Sequence, residues 1–94
     1  MAIGLLTIEC FLSQSLSLKD KRRILTGLFE RLRRSFNLAV CEVESQDQWQ
    51  RARLAVVMVN TEWRMIQSNM SKVLEIIERD GRIQVTQTEL RQLG

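Results

Sequence analysis

Apolar residues alternate with mixed residues along the first dozen positions of the chain. The even-numbered positions from Leu6 to Leu12 are all apolar, whereas the odd-numbered positions from Ile3 to Phe11 mix apolar, polar and charged side chains. A period of two predicts a β-strand over residues 2–12, with one buried face and one face only partly exposed to solvent.

A helical period replaces this alternation after residue 17. Ser17 can cap a helix, and Asp20 three residues later completes a start that resembles a capping box. Asn37 can end the helix in a left-handed conformation. The apolar residues at helical spacing between these signals are Leu25, Leu28, Phe29, Leu32 and Phe36. The pattern therefore predicts one amphipathic helix between Ser17 and Asn37.

The next residues predict a hairpin. "LAVCEVE" and "RARLAVVMV", which run from Leu38 to Glu44 and from Arg51 to Val59, are rich in apolar and β-branched residues. The polar stretch "SQDQWQ", residues 45–50, joins them, and two such strands with a short polar connection are typical of a β-hairpin.

A second helix and a last strand complete the pattern. Asn60 or Thr61 can start the helix, and Gly81 stands where a helix usually ends. The final strand is predicted in "RIQVTQTEL", residues 82–90, with Ile83 and Val85 pointing inward. The inner stripe of the second helix consists of Ile66, Met70, Val73, Leu74 and Ile77.

The order strand, helix, strand, strand, helix, strand predicts an α+β fold, the ferredoxin-like split βαβ plait. Right-handed crossovers would place the first and third strands at the centre of a four-stranded antiparallel sheet, with both helices on one face. We expect residues 1–94 to form a single domain, because two domains would each lack a sufficient core and no Gly- or Pro-rich linker divides the chain.

The second face of this sheet is predicted to be open to solvent, yet several of its residues are apolar. We therefore expect a homo-oligomer, and this face is one surface through which it can form. The residues predicted on the open face are Leu5, Thr7, Glu9, Phe11, Val40, Glu42, Glu44, Arg53, Ala55 and Val57.

We expect no membrane contact, metal, cofactor or small-molecule ligand. The apolar opening "MAIGLLTIECFL" is interrupted by Glu9 and is shorter than the roughly 20 residues of a membrane span. Cys10 and Cys41 are too few for a disulfide scaffold or a zinc site, which favours a reducing cytoplasm. Both thiols are expected to be buried and unreactive, on strands that the third strand separates.

Positive charge is concentrated in the first predicted helix. Residues 17–34 hold seven Lys and Arg against two acidic residues, a net charge of +5, whereas the whole chain carries +3. A helix N-terminus disfavours each cation by about 0.3–1 kcal/mol, so local stability does not explain the run "SLKDKRR". The segment is a candidate site for an anion or a nucleic acid. The candidate residues are Lys19, Lys21, Arg22, Arg23, Arg33 and Arg34.

Lys21 differs from the other bases because it projects toward the apolar side of the helix. It either contacts an anion at the sheet edge or forms an ion pair with Glu42 or Glu44 that holds the helix to the sheet. Whether Arg22 is a ligand contact or a member of a structural ion pair is likewise open. The two C-terminal arginines of the helix also have a structural interpretation, since they can pair with Glu30 and suit the negative end of the helix dipole.

The hairpin is a second candidate interaction surface. Trp49 is expected to pack locally or against a second subunit, and Trp63 to pack at the start of the second helix. The third strand, "RARLAVVMV", lacks the aromatic residues on which an RRM stacks bases, which disfavours that mechanism. The hairpin candidates are Gln46, Asp47, Trp49, Gln50 and Arg51.

No catalytic residue is predicted. The chain has no His or Tyr, and its acidic, Lys and Cys residues show no spacing typical of acid–base or nucleophilic catalysis. Acylphosphatases share this size and topology, but the first loop here, "SQSLSLKDKR", lacks their glycines, and the third strand has no asparagine before Asn60. We therefore expect a protein without enzymatic activity.

The runs "SLKDKR", residues 17–22, and "DQWQRA", residues 47–52, resemble the bacterial YlxP-like family, a domain of unknown function. The resemblance covers nearly the whole chain. It implies a ferredoxin-like fold and a cytoplasmic protein, often encoded beside factors for transcription termination, translation initiation and ribosome maturation. The interpretation is a domain that binds RNA or a ribosomal particle through its first helix, with a protein-interaction or homo-oligomerisation module using the open face and residues 45–51 as the alternative.

Overall fold

The computed structural model of the chain describes residues 1–44 and 46–94. Its helices and strands follow the predicted order. Ser45, the first residue of the predicted hairpin turn, lies outside the described residues. The bounds are β1 Ala2–Phe11, α1 Leu18–Ser35, β2 Ala39–Glu44, β3 Arg51–Asn60, α2 Trp63–Arg79 and β4 Gln84–Gln92.

The four strands form one antiparallel sheet in the order β2-β3-β1-β4. β1 and β3 lie at the centre, as right-handed crossovers predict. β1 pairs with β3 over its whole length, from Ala2 opposite Asn60 to Phe11 opposite Arg51. The predicted α+β ferredoxin-like fold is therefore confirmed.

The hydrophobic core lies between the sheet and the two helices. The even-numbered residues of β1 and β3 point into it, and Ile8, Leu54 and Val56 are completely buried. Burial of this apolar surface is the main force that holds the helices to the sheet. The helices contribute Ile24, Leu25, Leu28, Leu32, Ile66, Met70, Val73 and Ile77.

Gly4 allows α2 to lie very close to β1. A Cβ atom at Gly4 would lie 2.6 Å from Cγ2 of Ile66 and 3.1 Å from Cζ3 of Trp63. Trp63 is half-buried and packs against the core, so its predicted role at the start of the second helix is confirmed.

The start of α1 agrees with the prediction. The Ser17 hydroxyl accepts the N–H of Asp20 at 3.0 Å, which caps the helix. The Asp20 carboxylate in turn accepts the N–H of Leu16 at 3.0 Å, one residue earlier than in a standard capping box. The helix ends at Ser35, and its C-cap Phe36 is extended.

The start of α2 lies later than predicted. Its N-cap is Glu62, not Asn60 or Thr61. The reason is local, because Oδ1 of Asn60 accepts the N–H of Glu62 at 3.1 Å. This hydrogen bond closes a turn before the helix, so Asn60 acts as a turn residue.

The prediction for the open face of the sheet is wrong at two residues of β2. Val40 and Glu42 lie opposite Val56 and Leu54, which point into the core. Directly paired residues of an antiparallel ladder point to the same face, so Val40 and Glu42 face the helices.

A shift in register returns β2 to the predicted orientation. The shift lies between Glu42 and Glu44, and it places Glu44 opposite Arg53 on the open face. Nη1 of Arg53 donates a hydrogen bond to Glu44 at 3.0 Å. Leu5 and Phe11 also lie on this face, where they are partly exposed.

The two cysteines have different environments. Cys10 is buried, and burial raises the pKa of its thiol to about 12. Cys41 is exposed opposite Ala55 on the open face, so the prediction of burial is wrong for Cys41. β3 separates their strands as predicted.

Neither helix within the described residues has the length and apolar character needed to cross a membrane. In residues 1–44 and 46–94, no three His, Cys, Asp or Glu side chains are grouped so that they could hold a metal ion.

Candidate functional site

The exposed side of α1 begins with a basic patch, which we define as Lys19, Arg22 and Arg23. All three side chains are exposed. Together with Thr26 they line a shallow depression of about 380 Å³. Three cations are thus presented to solvent within little more than one turn of helix.

The basic patch has no acidic partner among the described residues. None of its three side chains takes part in the ion pairs formed there. Asp20, the acidic residue within the same run, uses its carboxylate to accept the N–H of Leu16. Within the part of the chain that the structure describes, no ion pair therefore neutralises the patch.

Lys21 lies on the opposite side of α1 and is only 3% exposed. Its ammonium nitrogen donates to Oε2 of Glu42 at 2.8 Å, which is also an ion pair. It further donates to the carbonyl oxygens of Gln46 and Arg51, each at 3.2 Å. Of the two alternatives for Lys21, the structure shows the ion pair with Glu42 that holds the helix to the sheet.

These contacts define what Lys21 does. A buried ammonium group is stable only when its donors meet acceptors, and here a carboxylate and two backbone carbonyls surround it. Glu42 can serve because it faces the helices and not the open face. Lys21 thus joins the first turn of α1 to the hairpin and is not part of the basic patch.

A groove separates α1 from the hairpin, with a volume of about 290 Å³. Arg22 lines this groove as well as the depression of the basic patch. Leu18, Leu25 and Phe29 give the groove an apolar lining, and Glu42 lies beside Lys21 in its wall.

The two C-terminal arginines of α1 differ from each other. Nη2 of Arg33 donates to the carbonyl of Val40 at 3.3 Å, and its guanidinium lies 5.8 Å from the centre of the Phe29 ring. Arg34 is exposed. The predicted ion pairs of these arginines with Glu30 are not formed among the described residues.

The side chains of Gln46 and Gln50 form hydrogen bonds that hold the hairpin in place. Gln46 accepts from Lys21 through its carbonyl, and its Nε2 donates to the carbonyl of Glu42 at 3.3 Å. Nε2 of Gln50 donates to the carbonyl of Ser13 at 3.3 Å, which joins the hairpin to the loop before α1.

The side chains of Asp47, Trp49 and Arg51 are exposed, and the carbonyl of Arg51 accepts from Lys21. Trp49 is 56% exposed, a high fraction for so large an aromatic side chain. The guanidinium of Arg51 lies 5.9 Å from the centre of the Phe11 ring. With Asp47 these residues line a shallow depression of about 460 Å³.

A second charge cluster, around the buried carboxylate of Asp80, was not anticipated from the sequence. Asp80, which follows α2, accepts from Nη2 of Arg31 at 2.9 Å and from Nη2 of Arg82 at 2.8 Å. These hydrogen bonds hold the pKa of the Asp80 carboxyl well below its usual range despite burial, and the one with Arg82 has the largest effect. Only the two-residue spacing of Asp80 and Arg82 is visible in the sequence, because Arg31 lies on α1.

A small α+β domain with a ferredoxin-like sheet and a basic first helix is a scaffold that many functions share. The chain belongs to the family described as protein of unknown function (DUF503), whose model matches residues 3–90. It is also 30% identical over 89 residues to the uncharacterized protein YlxP of Bacillus subtilis (strain 168). The aligned residues cover 93% of this chain and 97% of that protein. The resemblance to the YlxP-like family is thus confirmed, and neither description names an activity.

Proposed function

We propose that the chain is a non-enzymatic cytoplasmic protein that binds structured RNA through the phosphate backbone, with the basic patch of α1 as the contact surface. The observation that carries the proposal is that Lys19, Arg22 and Arg23 are exposed together and without an acidic partner among the described residues. Arg34 extends the same exposed side toward the C-terminal end of the helix.

The arrangement is unfavourable for the isolated protein. Lys19 is three residues from Arg22 and four from Arg23, and like charges at these spacings destabilise a helix by about 0.2–0.5 kcal/mol per pair. All three also lie near the positive end of the helix dipole, which adds to the cost. A polyanion would remove both penalties, because phosphates pair with the cations and release bound counterions.

The family gives this proposal a context and no mechanism. The YlxP-like resemblance implies genes beside translation and ribosome-maturation factors, so a ribosomal RNA is the first structured RNA to test. The absence of aromatic residues from β3, a central strand of the sheet, favours backbone contacts over the reading of bases.

The test is binding of the protein to a structured ribosomal RNA fragment over a series of salt concentrations. The triple variant K19Q/R22Q/R23Q should bind more weakly, and the slope of log K against log salt should fall in magnitude by about 0.7–0.9 for each phosphate that is no longer neutralised. Lys21 is left unchanged because its removal would disturb the hairpin.

The matched control is R64Q/K72Q/R79Q, which removes three exposed cations from α2 and changes the net charge equally. This control should keep the salt slope of the unmodified protein. The proposal fails if both triple variants lose affinity to the same extent, or if the protein shows no salt-dependent binding.

The second candidate function is a protein-interaction or homo-oligomerisation module that uses the open face and the hairpin. Its specific support is Trp49, which is exposed on a hairpin that Lys21 and Gln50 hold in position. Exposed tryptophans on an ordered backbone are common at the centres of protein interfaces. The same RNA titration separates the candidates, since this module predicts no loss of RNA affinity on changing α1.

A further inference from the structure

The sheet has two edge strands, β2 and β4, and they differ in the side-chain hydrogen bonds on their outer sides. An edge strand carries a row of backbone N–H and C=O groups with no partner on its outer side. Such groups can pair with another strand unless side chains or irregular geometry cover them.

The outward carbonyls of β2 have side-chain partners. Ala39 and Cys41 lie opposite Val57 and Ala55, and the carbonyls of Val40 and Glu42 accept hydrogen bonds from side chains. Nη2 of Arg33 donates to Val40, and Nε2 of Gln46 donates to Glu42, each at 3.3 Å. The register shift after Glu42 interrupts the edge further.

The outer side of β4 is not covered by any described side chain. The N–H of Leu93 donates to the carbonyl of Ile3 at 2.8 Å, so the backbone groups of Leu93 point toward β1. The backbone N–H and C=O groups of successive residues point to opposite sides of a strand. Those of Arg91 and Glu89 therefore also form hydrogen bonds with β1, and those of the alternate residues point away from β1. The residues with outward backbone groups are Thr88, Leu90 and Gln92.

We infer that β4 pairs antiparallel with β4 of a second copy of this chain, about a two-fold axis at Leu90. In this register Leu90 lies opposite the partner's Leu90, and Thr88 lies opposite the partner's Gln92. The outward N–H and C=O groups of these residues then form the new ladder.

The charges on β4 select this register. A two-fold axis at Leu90 places Glu89 opposite the partner's Arg91, and Arg91 opposite the partner's Glu89. These are non-hydrogen-bonded pairs, whose side chains approach each other most closely. An axis shifted by one residue would instead place Glu89 opposite the partner's Glu89, or Arg91 opposite the partner's Arg91, which repels.

The side chains also match on the other face. Leu90 lies opposite Leu6 in the sheet and packs at the margin of the core, so it points toward the helices. Across the two-fold axis it would contact the partner's Leu90 and extend the apolar layer. The product is a continuous eight-stranded sheet, with both helical layers on one face and the covered β2 strands at its two outer edges.

The test is sedimentation velocity over a wide range of protein concentration. The unmodified chain should show a reversible monomer–dimer equilibrium. E89R and R91E each place like charges opposite each other twice, and each should raise the dimer dissociation constant by roughly tenfold or more. The double variant E89R/R91E restores opposite charges and should bring the constant back near its original value.

Two further variants separate the edge from the rest of the surface. T88P removes an N–H that points away from β1, so it should weaken the dimer while the thermal unfolding transition remains cooperative. E75R makes the same charge change as E89R on the exposed side of α2 and should leave the dimer unchanged. A chain that is monomeric at every concentration, or a dimer that E89R and T88P leave intact, overturns the inference.

Discussion

Lys19 and Lys21 are two residues apart on α1 and have opposite environments. Lys19 is exposed in the basic patch, whereas Lys21 is 3% exposed and bonded to Glu42. An offset of two residues turns a side chain by about 200° around a helix, so one side chain of this basic run faces solvent and the other faces the sheet. Removal of charge at the two positions should therefore have different effects.

K21M should destabilise the protein by about 3 kcal/mol, because it leaves the Glu42 carboxylate and two hairpin carbonyls without their donor. K19M should change the free energy of unfolding by no more than about 0.5 kcal/mol. Urea unfolding measures both. In K21M/E42L the unpaired carboxylate is also gone, so part of the loss should be recovered. Equal destabilisation by K21M and K19M would contradict the role assigned to Lys21.

Two glycines form a second matched pair. G4A should destabilise the fold by about 1–3 kcal/mol, because the added methyl group meets Ile66 and Trp63. G27A lies within α1, where a Cβ meets nothing within 4 Å, and it should stabilise by about 0.5–1 kcal/mol. The two thermal unfolding midpoints should therefore move in opposite directions, and a rise for G4A would show that α2 can shift.

At the level of the elements, Asp80 connects the two helices. Arg31 belongs to α1, whereas Asp80 caps α2 and Arg82 lies just before β4. The guanidinium groups of Arg82 and Arg31 hold the pKa of Asp80 below its usual range. The contribution of this contact between the helices to the free energy of unfolding therefore depends on pH.

The sign of this dependence follows from the lowered pKa. The ionised carboxylate stabilises the fold above the ordinary pKa of aspartate, about 3.9, and its contribution is lost as the pH falls toward the folded-state value. D80N should be less stable than the unmodified protein by about 1–3 kcal/mol at neutral pH, and the difference should narrow in acid. Urea unfolding as a function of pH measures it, with D47N as the exposed control. A difference that stays constant down to acidic pH would contradict the assignment.

The elements themselves could be predicted from the sequence, because their periods are local. The stripe of α2 from Ile66 to Ile77 and the alternation of β1 both appear as predicted. The orientation of Val40 and Glu42 could not be predicted, since it depends on the register between β2 and β3 and on the irregularity before Glu44.

The same division applies to the candidate site. Helical projection alone predicts that Lys19 and Arg23 are exposed, whereas for Arg22 it left a structural role open. The acceptors of Lys21 lie on the hairpin, more than twenty residues away, so the sequence left two alternatives that only the pairing of the strands distinguishes.

Over the whole molecule, positive charge and sheet edges are distributed unevenly. The segment from residue 17 to 34 carries +5, so the remainder of the chain, including the uncovered β4 edge, is net negative at −2. Arg33 belongs to the basic helix and also covers the β2 edge through Val40. Two carbonyls of the β2 edge are thus occupied by side chains, whereas no described side chain forms a hydrogen bond to the outer side of β4.

β1 precedes both of its neighbours in the chain, although it lies between them in the sheet. During synthesis β1 can pair only after β3 has been made on one side and β4 on the other. The backbone hydrogen bonds of Ile3 to Leu93 and Gly94 require the residues that follow β4. The side of β1 that faces β4 therefore has no partner on the nascent polypeptide until residues 84–94 have been made. Long-range pairing of this kind slows folding and leaves an unpaired strand edge exposed to aggregation until β4 is in place.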